Sequence, residues 1–168
     1  EYLYDIGLER QKSGDKEVPF SIYQSPKYVI KEFLSALFEG DGSISCGNWK
    51  DSKGKPRKSL MVSYTSKSEK LIDGISQLLL VFGIVGCKTL EKRRNTFQLK
   101  LHSYSAVEFV KKIGFISSSK RKIGSEYMDL YKKYHFDKSQ EIYLCVKKIE
   151  ILQEEFLFDF TIPVEHNF

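Results

Sequence analysis

Apolar residues recur along the chain with two spacings, and these spacings predict the order of helices and strands. Spacings of three and four residues predict helices over residues 27–40, 69–82, 105–113 and 119–134. Two pairs of segments that surround turns predict two hairpins, over 43–50 with 59–65 and over 85–92 with 96–102. The predicted order is helix, hairpin, helix, hairpin, helix, helix.

The two ends of the chain differ from this middle part. Ile6-Gly7-Leu8 resembles Ile113-Gly114-Phe115, and each is followed by a polar run, so we predict that residues 1–27 are a linker and the tail of a preceding unit. Residues 28–137 form the predicted main unit. Residues 138–168 contain two further β-type segments, over 142–152 and 156–164, without the basic excess of the middle part.

Composition narrows the class of protein. A chain of 168 residues with 41% hydrophobic residues can bury one sizeable core. It has neither an apolar run long enough to span a bilayer nor a signal peptide at its start, so we predict an intracellular protein that is not secreted and has no membrane partner. The three cysteines are scattered and odd in number, which indicates packing thiols in a reducing compartment.

Charge adds a predicted partner. The net charge is +5, but residues 43–103 alone hold twelve Lys and Arg against four Asp and Glu. A basic excess on two hairpins is expected of a surface that binds a polyanion such as double-stranded DNA. A solvated basic face is the alternative.

The first predicted helix ends in Gly40-Asp41-Gly42. We expect both glycines to permit backbone conformations that a side chain would obstruct, which leaves Asp41 uncrowded at the helix end. The Asp41 carboxylate and the Gly40 carbonyl are hard oxygen ligands that suit Mg²⁺ or another divalent cation. The alternative is that Asp41 belongs to an ordinary acidic turn.

The nine residues from Leu34 to Gly42 resemble the LAGLIDADG motif of homing endonucleases. Leu34, Leu37, Asp41 and Gly42 match it outright, while Ala36 and Glu39 replace its first glycine and first aspartate. The resemblance extends over residues 28–135 and implies an α+β fold, one LAGLIDADG half of order αββαββαα with a four-stranded antiparallel DNA-binding saddle. It also implies metal-dependent hydrolysis of phosphodiesters in double-stranded DNA at specific sites.

The family likeness implies roles for individual residues. Asp41 and Gly40 are the expected metal ligands, and Lys100 or His102, on one strand face, is the expected basic catalytic side chain. The sequence holds one motif where the family uses two, so we expect a second LAGLIDADG half as partner, either a missing amino-terminal part or a second copy of the chain; otherwise the chain is inactive. The predicted DNA-binding residues are Asn48, Lys50, Lys53, Lys55, Arg57, Lys58, Tyr64, Lys88, Lys92, Arg93, Arg94, Gln98 and Lys100.

Residues 156–168 resemble the intein motif called block F, with Asp159 and His166 at its two reactive polar positions. In inteins these positions assist branch formation and asparagine cyclisation, so the resemblance assigns both residues to protein splicing. The main interpretation is therefore the carboxy-terminal part of an intein with an endonuclease half. Two alternatives are a LAGLIDADG module that binds DNA without cleaving it, and a splicing fragment that acts with a missing amino-terminal part.

Overall fold

The computed structural model describes residues 12–50, 52–54 and 56–134. The chain divides into two compact units, Glu1–Phe136 and Asp137–Phe168, and the described residues belong to the first. The predicted strands after residue 138, and Asp159 and His166 with them, lie outside the described residues. The boundaries of the three predicted segments stay predictions.

The predicted order of elements is confirmed within the described residues. A single helical turn, α1 (Phe20–Tyr23), precedes the main unit. The unit itself comprises α2 (Lys27–Gly40), β1 (Gly42–Lys50), β2 (Pro56–Ser66), α3 (Glu69–Leu80), β3 (Cys87–Glu91), β4 (Thr96–His102), α4 (Ser103–Lys112) and α5 (Ser118–Tyr134). This is the αββαββαα order of an α+β fold.

The four strands form one antiparallel sheet in the order β1-β2-β4-β3. Because successive side chains of a strand point to opposite faces, β1, β2 and β4 each give one face to the core, whereas all five residues of β3 are exposed. Leu60 and Val62 of β2 and Leu99 and Leu101 of β4 have no exposed surface and form the floor of the core. We call the opposite side, which carries Ser63 and Lys100, the open face.

The helices bury their apolar stripes on the floor of the core. On α2, Ile30, Leu34 and Phe38 recur every four residues and are at most 4% exposed. The Phe38 ring meets that of Phe109 with 4.5 Å between centroids, and burial of one such side chain stabilises the fold by about 1.5–3 kcal/mol. Ser68 caps the start of α3: its hydroxyl accepts a hydrogen bond from the Leu71 amide at 3.2 Å.

Part of the predicted linker packs on α3. Val18 is 5% exposed and belongs to the core. A methyl group placed on Gly74 would lie 2.7 Å from the Val18 side chain, so α3 needs a glycine where this segment crosses it. The hydroxyl of Ser68 donates a hydrogen bond to the Lys16 carbonyl.

Two further predictions concern thiols and membranes. Cys46 and Cys87 are exposed, so the prediction that they are packing thiols is wrong for this pair. Cys145 lies outside the described residues. Among the helices described, none combines the length and the apolar composition required to cross a bilayer.

Candidate functional site

The candidate site is the junction where α2 passes directly into β1. Asp41 is its one connecting residue: its amide donates to the Leu37 carbonyl at 3.1 Å, which continues the helical pattern, and β1 begins at the next residue. A methyl group on Gly42 would lie 2.5 Å from the Phe38 carbonyl oxygen, so only glycine fits there. At Gly40 the same space is empty. The prediction that both glycines avoid an obstruction is therefore right for Gly42 and wrong for Gly40.

Asp41 is exposed, whereas the neighbouring Tyr64 is buried. Tyr64 is the cross-strand partner of Gly42. Burial, followed by the charge of Asp41 and its hydrogen bond with the hydroxyl, together raise the pKa of Tyr64 to about 12. Tyr64 is 2% exposed and its ring lies 5.3 Å from that of Phe38. Its predicted DNA contact is wrong, because the side chain points into the core.

Two charged residues near Asp41 connect α2 to the start of α5. A carboxylate oxygen of Glu39 accepts hydrogen bonds from the amides of Ile116 at 2.9 Å and Ser117 at 3.0 Å. The hydrogen bonds from Ser117, first that of its amide, hold the pKa of the Glu39 carboxyl below its usual value. Lys120 donates to backbone carbonyls on both sides of Asp41. Sequence reasoning missed Lys120, because its contacts join residues about 80 positions apart in the chain.

Asp41 is followed by a row of polar residues that crosses the open face. Ser43, Ser63 and Lys100 are successive cross-strand partners on β1, β2 and β4. The hydroxyls of Ser43 and Ser63 are hydrogen-bonded at 2.9 Å. Lys100 is thus two strands from Ser43, about 10 Å at the usual strand spacing. The two serines were not among the predicted site residues, although the alternation Ser43-Ile44-Ser45 indicates a strand with one hydroxyl-bearing face.

Lys100 and His102 lie on the open face, as their spacing predicts, because they alternate along β4 with Leu99 and Leu101, which are buried. They occupy different rows. Lys100 shares the row of Ser43, whereas His102 is paired with Met61, which is paired with Ser45. His102 is therefore one row farther than Lys100 from the end of α2.

The predicted DNA-binding lysine Lys88 lies on the helix side of the sheet. It is the partner of buried Leu99 across β3 and β4. Its ammonium contacts Asp73 at 2.5 Å and Glu69 at 3.0 Å, both on α3. The hydrogen bond with Asp73 is the main reason that the pKa of Lys88 is raised. The assignment of Lys88 to the DNA-binding face is a wrong prediction, because this lysine connects β3 to α3.

The other predicted DNA-binding residues lie on the strands and turns of the two hairpins. Gln98 lies on the open face in a row between Thr65 and Thr89. Exposed basic residues occupy the β1–β2 hairpin at Lys50, Lys53 and Lys58, and the β3–β4 turn at Lys92, Arg93 and Arg94. Asn48 is also exposed, on β1. By alternation Asn48, Lys50 and Lys58 lie on the same side of the sheet as Ile44 and Leu60, so their predicted position on the DNA-binding face is wrong. Lys55 and the side chain of Arg57 lie outside the described residues.

Oxygen ligands for a divalent cation are available at Asp41 and Gly40, both of which are exposed. A carboxylate and a backbone carbonyl fit Mg²⁺ in chemical type. Within the described part of the chain, no three Asp, Glu, His or Cys side chains converge as a metal cluster would require. A complete metal centre at Asp41 therefore needs ligands beyond those that the described residues provide.

The comparisons with known proteins agree with this architecture. The family model of the LAGLIDADG-like domain matches residues 29–114, slightly more than half of the chain. The match begins in α2, includes Asp41 and the whole sheet, and ends after α4. The fold and the site define one half of a homing-endonuclease architecture. The chain belongs to the LAGLIDADG family.

Curated relatives are similar to parts of this chain. The DNA gyrase protein of Mycobacterium gordonae is 44% identical over 75 residues, which are 45% of this chain and 12% of the relative. The gyrase protein of Mycobacterium leprae is 35% identical over 113 residues, 65% of this chain and 8% of the relative. The DNA polymerase of Thermococcus hydrothermalis is 26% identical over 174 residues, 95% of this chain and 10% of the relative. The chain spans about a tenth of the length of these relatives.

A solved structure shares the fold. The group I intron-encoded homing endonuclease I-CeuI, complexed with DNA, is 18% identical to this chain, with a TM-score of 0.50. The match covers 79% of this chain and 64% of I-CeuI. The four-stranded antiparallel sheet with helices on one side is thus the homing-endonuclease fold.

Proposed function

We propose that the chain is one half of a metal-dependent, site-specific endonuclease for double-stranded DNA, carried within an intein. The observation that carries the proposal is the position of Asp41. Its exposed carboxylate follows the LAGLIDADG helix directly and precedes a sheet whose open face carries polar and basic side chains. Such a face suits a duplex, and the carboxylate suits the cation that hydrolysis of its backbone requires.

Asp41 and the Gly40 carbonyl are the proposed ligands of Mg²⁺. When bound, the cation supplies charge neutralisation at the scissile phosphate. Asp41 supplies one carboxylate, and the described residues contain no group of three Asp, Glu, His or Cys side chains that could hold a metal ion. A second LAGLIDADG half, with its own aspartate, is therefore part of the proposal.

Lys100 is the better candidate of the two basic residues for a role near the phosphate. It shares the row of Ser43, two residues beyond Asp41, whereas His102 lies one row farther away. An ammonium on that row can interact with negative charge that develops at the phosphate. His102 on the same face is then suited to contact the duplex beyond the reacting bond.

The exposed lysines and arginines in the turns of the two hairpins are proposed phosphate contacts. Lys53 in the turn of one hairpin and Lys92, Arg93 and Arg94 in the turn of the other belong to the segment with the basic excess. Such contacts fix the position of a protein on DNA, while polar side chains on the strands read base edges. Gln98, Thr65 and Thr89, in one row of the open face, suit base reading.

The intein assignment is supported by the kinds of relatives. Similar segments occur in DNA gyrases, a DNA polymerase and an RNA polymerase, and each match is a small fraction of the relative. One module within functionally different proteins is expected of a mobile insertion. On this proposal Asp159 and His166 serve protein splicing, and this chain needs an amino-terminal part to splice.

The proposed nuclease function is tested by Asp41→Asn. The full chain, alone and mixed with its amino-terminal part, is incubated with long duplex DNA and Mg²⁺, and binding is measured at several salt concentrations. Asp41→Asn should abolish cleavage and leave binding largely intact, because phosphate contacts on the hairpins are separate from the metal site. Asp15→Asn, the same change in an exposed turn, is the control.

Each outcome separates the alternatives. A module that binds DNA without cutting it is favoured if binding weakens steeply with salt and the wild type cleaves neither alone nor with its amino-terminal part. Cleavage by Asp41→Asn at the normal rate would remove Asp41 from the proposed centre. Splicing upon mixing, in the absence of any nuclease activity, favours the trans-splicing fragment.

A further inference from the structure

Lys120 of α5 donates hydrogen bonds to backbone carbonyls on both sides of Asp41. Its ammonium donates to the carbonyl oxygens of Phe38 at 3.0 Å, Glu39 at 2.6 Å and Gly42 at 2.9 Å. An ammonium has three N–H donors, and here three carbonyls receive them. We call this group of one ammonium and three carbonyls the lysine clamp.

The lysine clamp compensates for the hydrogen bonds that a helix end lacks. The last carbonyls of a helix have no partner within it and carry partial negative charge. Phe38 and Glu39 lie in the last turn of α2, whereas Gly42 already belongs to β1. The clamp therefore joins the helix to the strand across the single residue between them, and that residue is Asp41.

Glu39 provides a second tie between the same two helices. Its carboxylate accepts the amides of Ile116 and Ser117, just before α5 begins at Ser118. Residues near the start of α5 thus donate to the end of α2 through one lysine side chain and two backbone amides. Both charged side chains are partly exposed, at 22% for Lys120 and 25% for Glu39.

We infer that Lys120 is a positioning residue that fixes the turn carrying Asp41. The three carbonyls to which Lys120 donates do not include that of Gly40, the second proposed metal ligand. The clamp therefore restrains the residues around the two proposed ligands without using either ligand. The consequence for metal binding rests on the proposed function of Asp41; the restraint on the turn does not.

The matched pair of variants is Lys120→Met and Lys122→Met. Both remove one ammonium from α5, but Lys122 is 77% exposed and contacts the side chain of Glu126. Methionine fills much of the space of lysine without any donor. If Lys120→Met does not fold, Lys120→Gln, with a shorter side chain and an amide donor, replaces it.

The test uses the full chain and two nuclear magnetic resonance measurements. Amide hydrogen exchange of Asp41, whose N–H bonds to Leu37, reports the turn directly. Titration with Mn²⁺ alone reports metal binding through broadening of signals from Gly40 to Gly42. We expect Lys120→Met to raise the exchange rate about tenfold and the Mn²⁺ midpoint about 10–100-fold. Lys122→Met should change neither.

Unchanged exchange at Asp41 in Lys120→Met, with the melting temperature of the wild type, would overturn the inference. An equal effect of Lys122→Met would do so too, because loss of charge on α5 would then explain both. If the wild type shows no Mn²⁺ broadening near Asp41 but the exchange difference holds, the restraint on the turn is supported. The proposed metal site is then the part that fails.

Discussion

At the scale of single residues, replacing each of the two glycines beside Asp41 by alanine should change the free energy of unfolding in opposite directions. A methyl group on Gly42 would lie 2.5 Å from the Phe38 carbonyl oxygen and 2.7 Å from its Cα, so the backbone has to shift. We expect Gly42→Ala to lower the free energy of unfolding by about 1–3 kcal/mol. Gly40→Ala, where the space is empty, should raise it by about 0.4–1 kcal/mol, because alanine restricts the unfolded chain.

Urea denaturation of the two variants and the wild type measures both changes. Equal stabilities of Gly42→Ala and the wild type would show that the turn relaxes freely, contrary to the close approach of α2 and β1. Stabilisation by Gly40→Ala, together with loss of cleavage in the same variant, would indicate that the Gly40 backbone needs its freedom for function rather than for folding.

The position of Asp41 was predictable from sequence, because a local motif places it at a helix end. The positions of the residues around it were less predictable. Tyr64 and Lys88 were assigned to the wrong face, since alternation within a strand separates two faces but does not identify the one that meets the core. Lys120 could not be found, because only the folded chain brings α5 to residues 38–42.

At the scale of elements, α4 has a buried carboxylate that predicts a pH-dependent stability. Glu108 is 6% exposed and contacts Lys112 at 2.9 Å and Lys111 at 3.3 Å. Burial acts to raise the pKa of the Glu108 carboxyl, but hydrogen bonds from Lys112 and Lys111 outweigh it, and the pKa is lowered. The ionised form is thus favoured by folding. Its stabilisation is full above the unfolded pKa of about 4.3 and is lost as pH falls through the folded value.

Glu108→Gln should therefore lower the free energy of unfolding by about 1–2 kcal/mol at pH 7. The difference from the wild type should shrink as pH falls below about 4. Thermal unfolding at pH 3, 5 and 7 measures it. Glu91→Gln is the control, because Glu91 is half exposed and its contact with Arg94 is 3.7 Å long. A difference that stays constant across pH would assign the effect to packing rather than charge.

The element order was predictable from periodicity, while several element ends were not. Strand β2 begins at Pro56 rather than at residue 59, since pairing with Lys50 extends the hairpin beyond its apolar part. Helix α4 begins at Ser103 rather than at residue 105, without a side-chain cap. Pairing and packing set these ends, and neither is visible in a local pattern.

At the scale of the whole molecule, the outer side of α2 determines how the site is completed. Buried Leu34, Ser35 and Phe38 belong to the core of this chain. These three side chains therefore do not meet a second half. The Ser35 hydroxyl donates to the Gly114 carbonyl at 3.4 Å within the same unit, so Ser35→Lys would disrupt folding rather than pairing.

The exposed side of α2 carries Tyr28, Glu32, Ala36 and Gly40, spaced four residues apart. Ala36 and Gly40 have small side chains near the Asp41 end, where a second helix can approach closely. Leu37 and Phe33 are half-buried beside them. This side, rather than the full apolar stretch, is the surface on which we expect a second LAGLIDADG half to pack.

We therefore predict that Ala36→Glu prevents association through α2 and preserves the fold. A glutamate at a close helix crossing would bury an unpaired charge, which is costly, whereas on the free surface it stays hydrated. Sedimentation of the full chain over a range of concentrations, alone and with its amino-terminal part, measures the association. Gln77→Glu, on the exposed side of α3, adds the same charge away from this surface and should associate like the wild type. Association by Ala36→Glu equal to that of the wild type would place the contact elsewhere. If the wild type does not associate, either alone or with its amino-terminal part, Asp41 lacks the second carboxylate that the proposed metal centre needs.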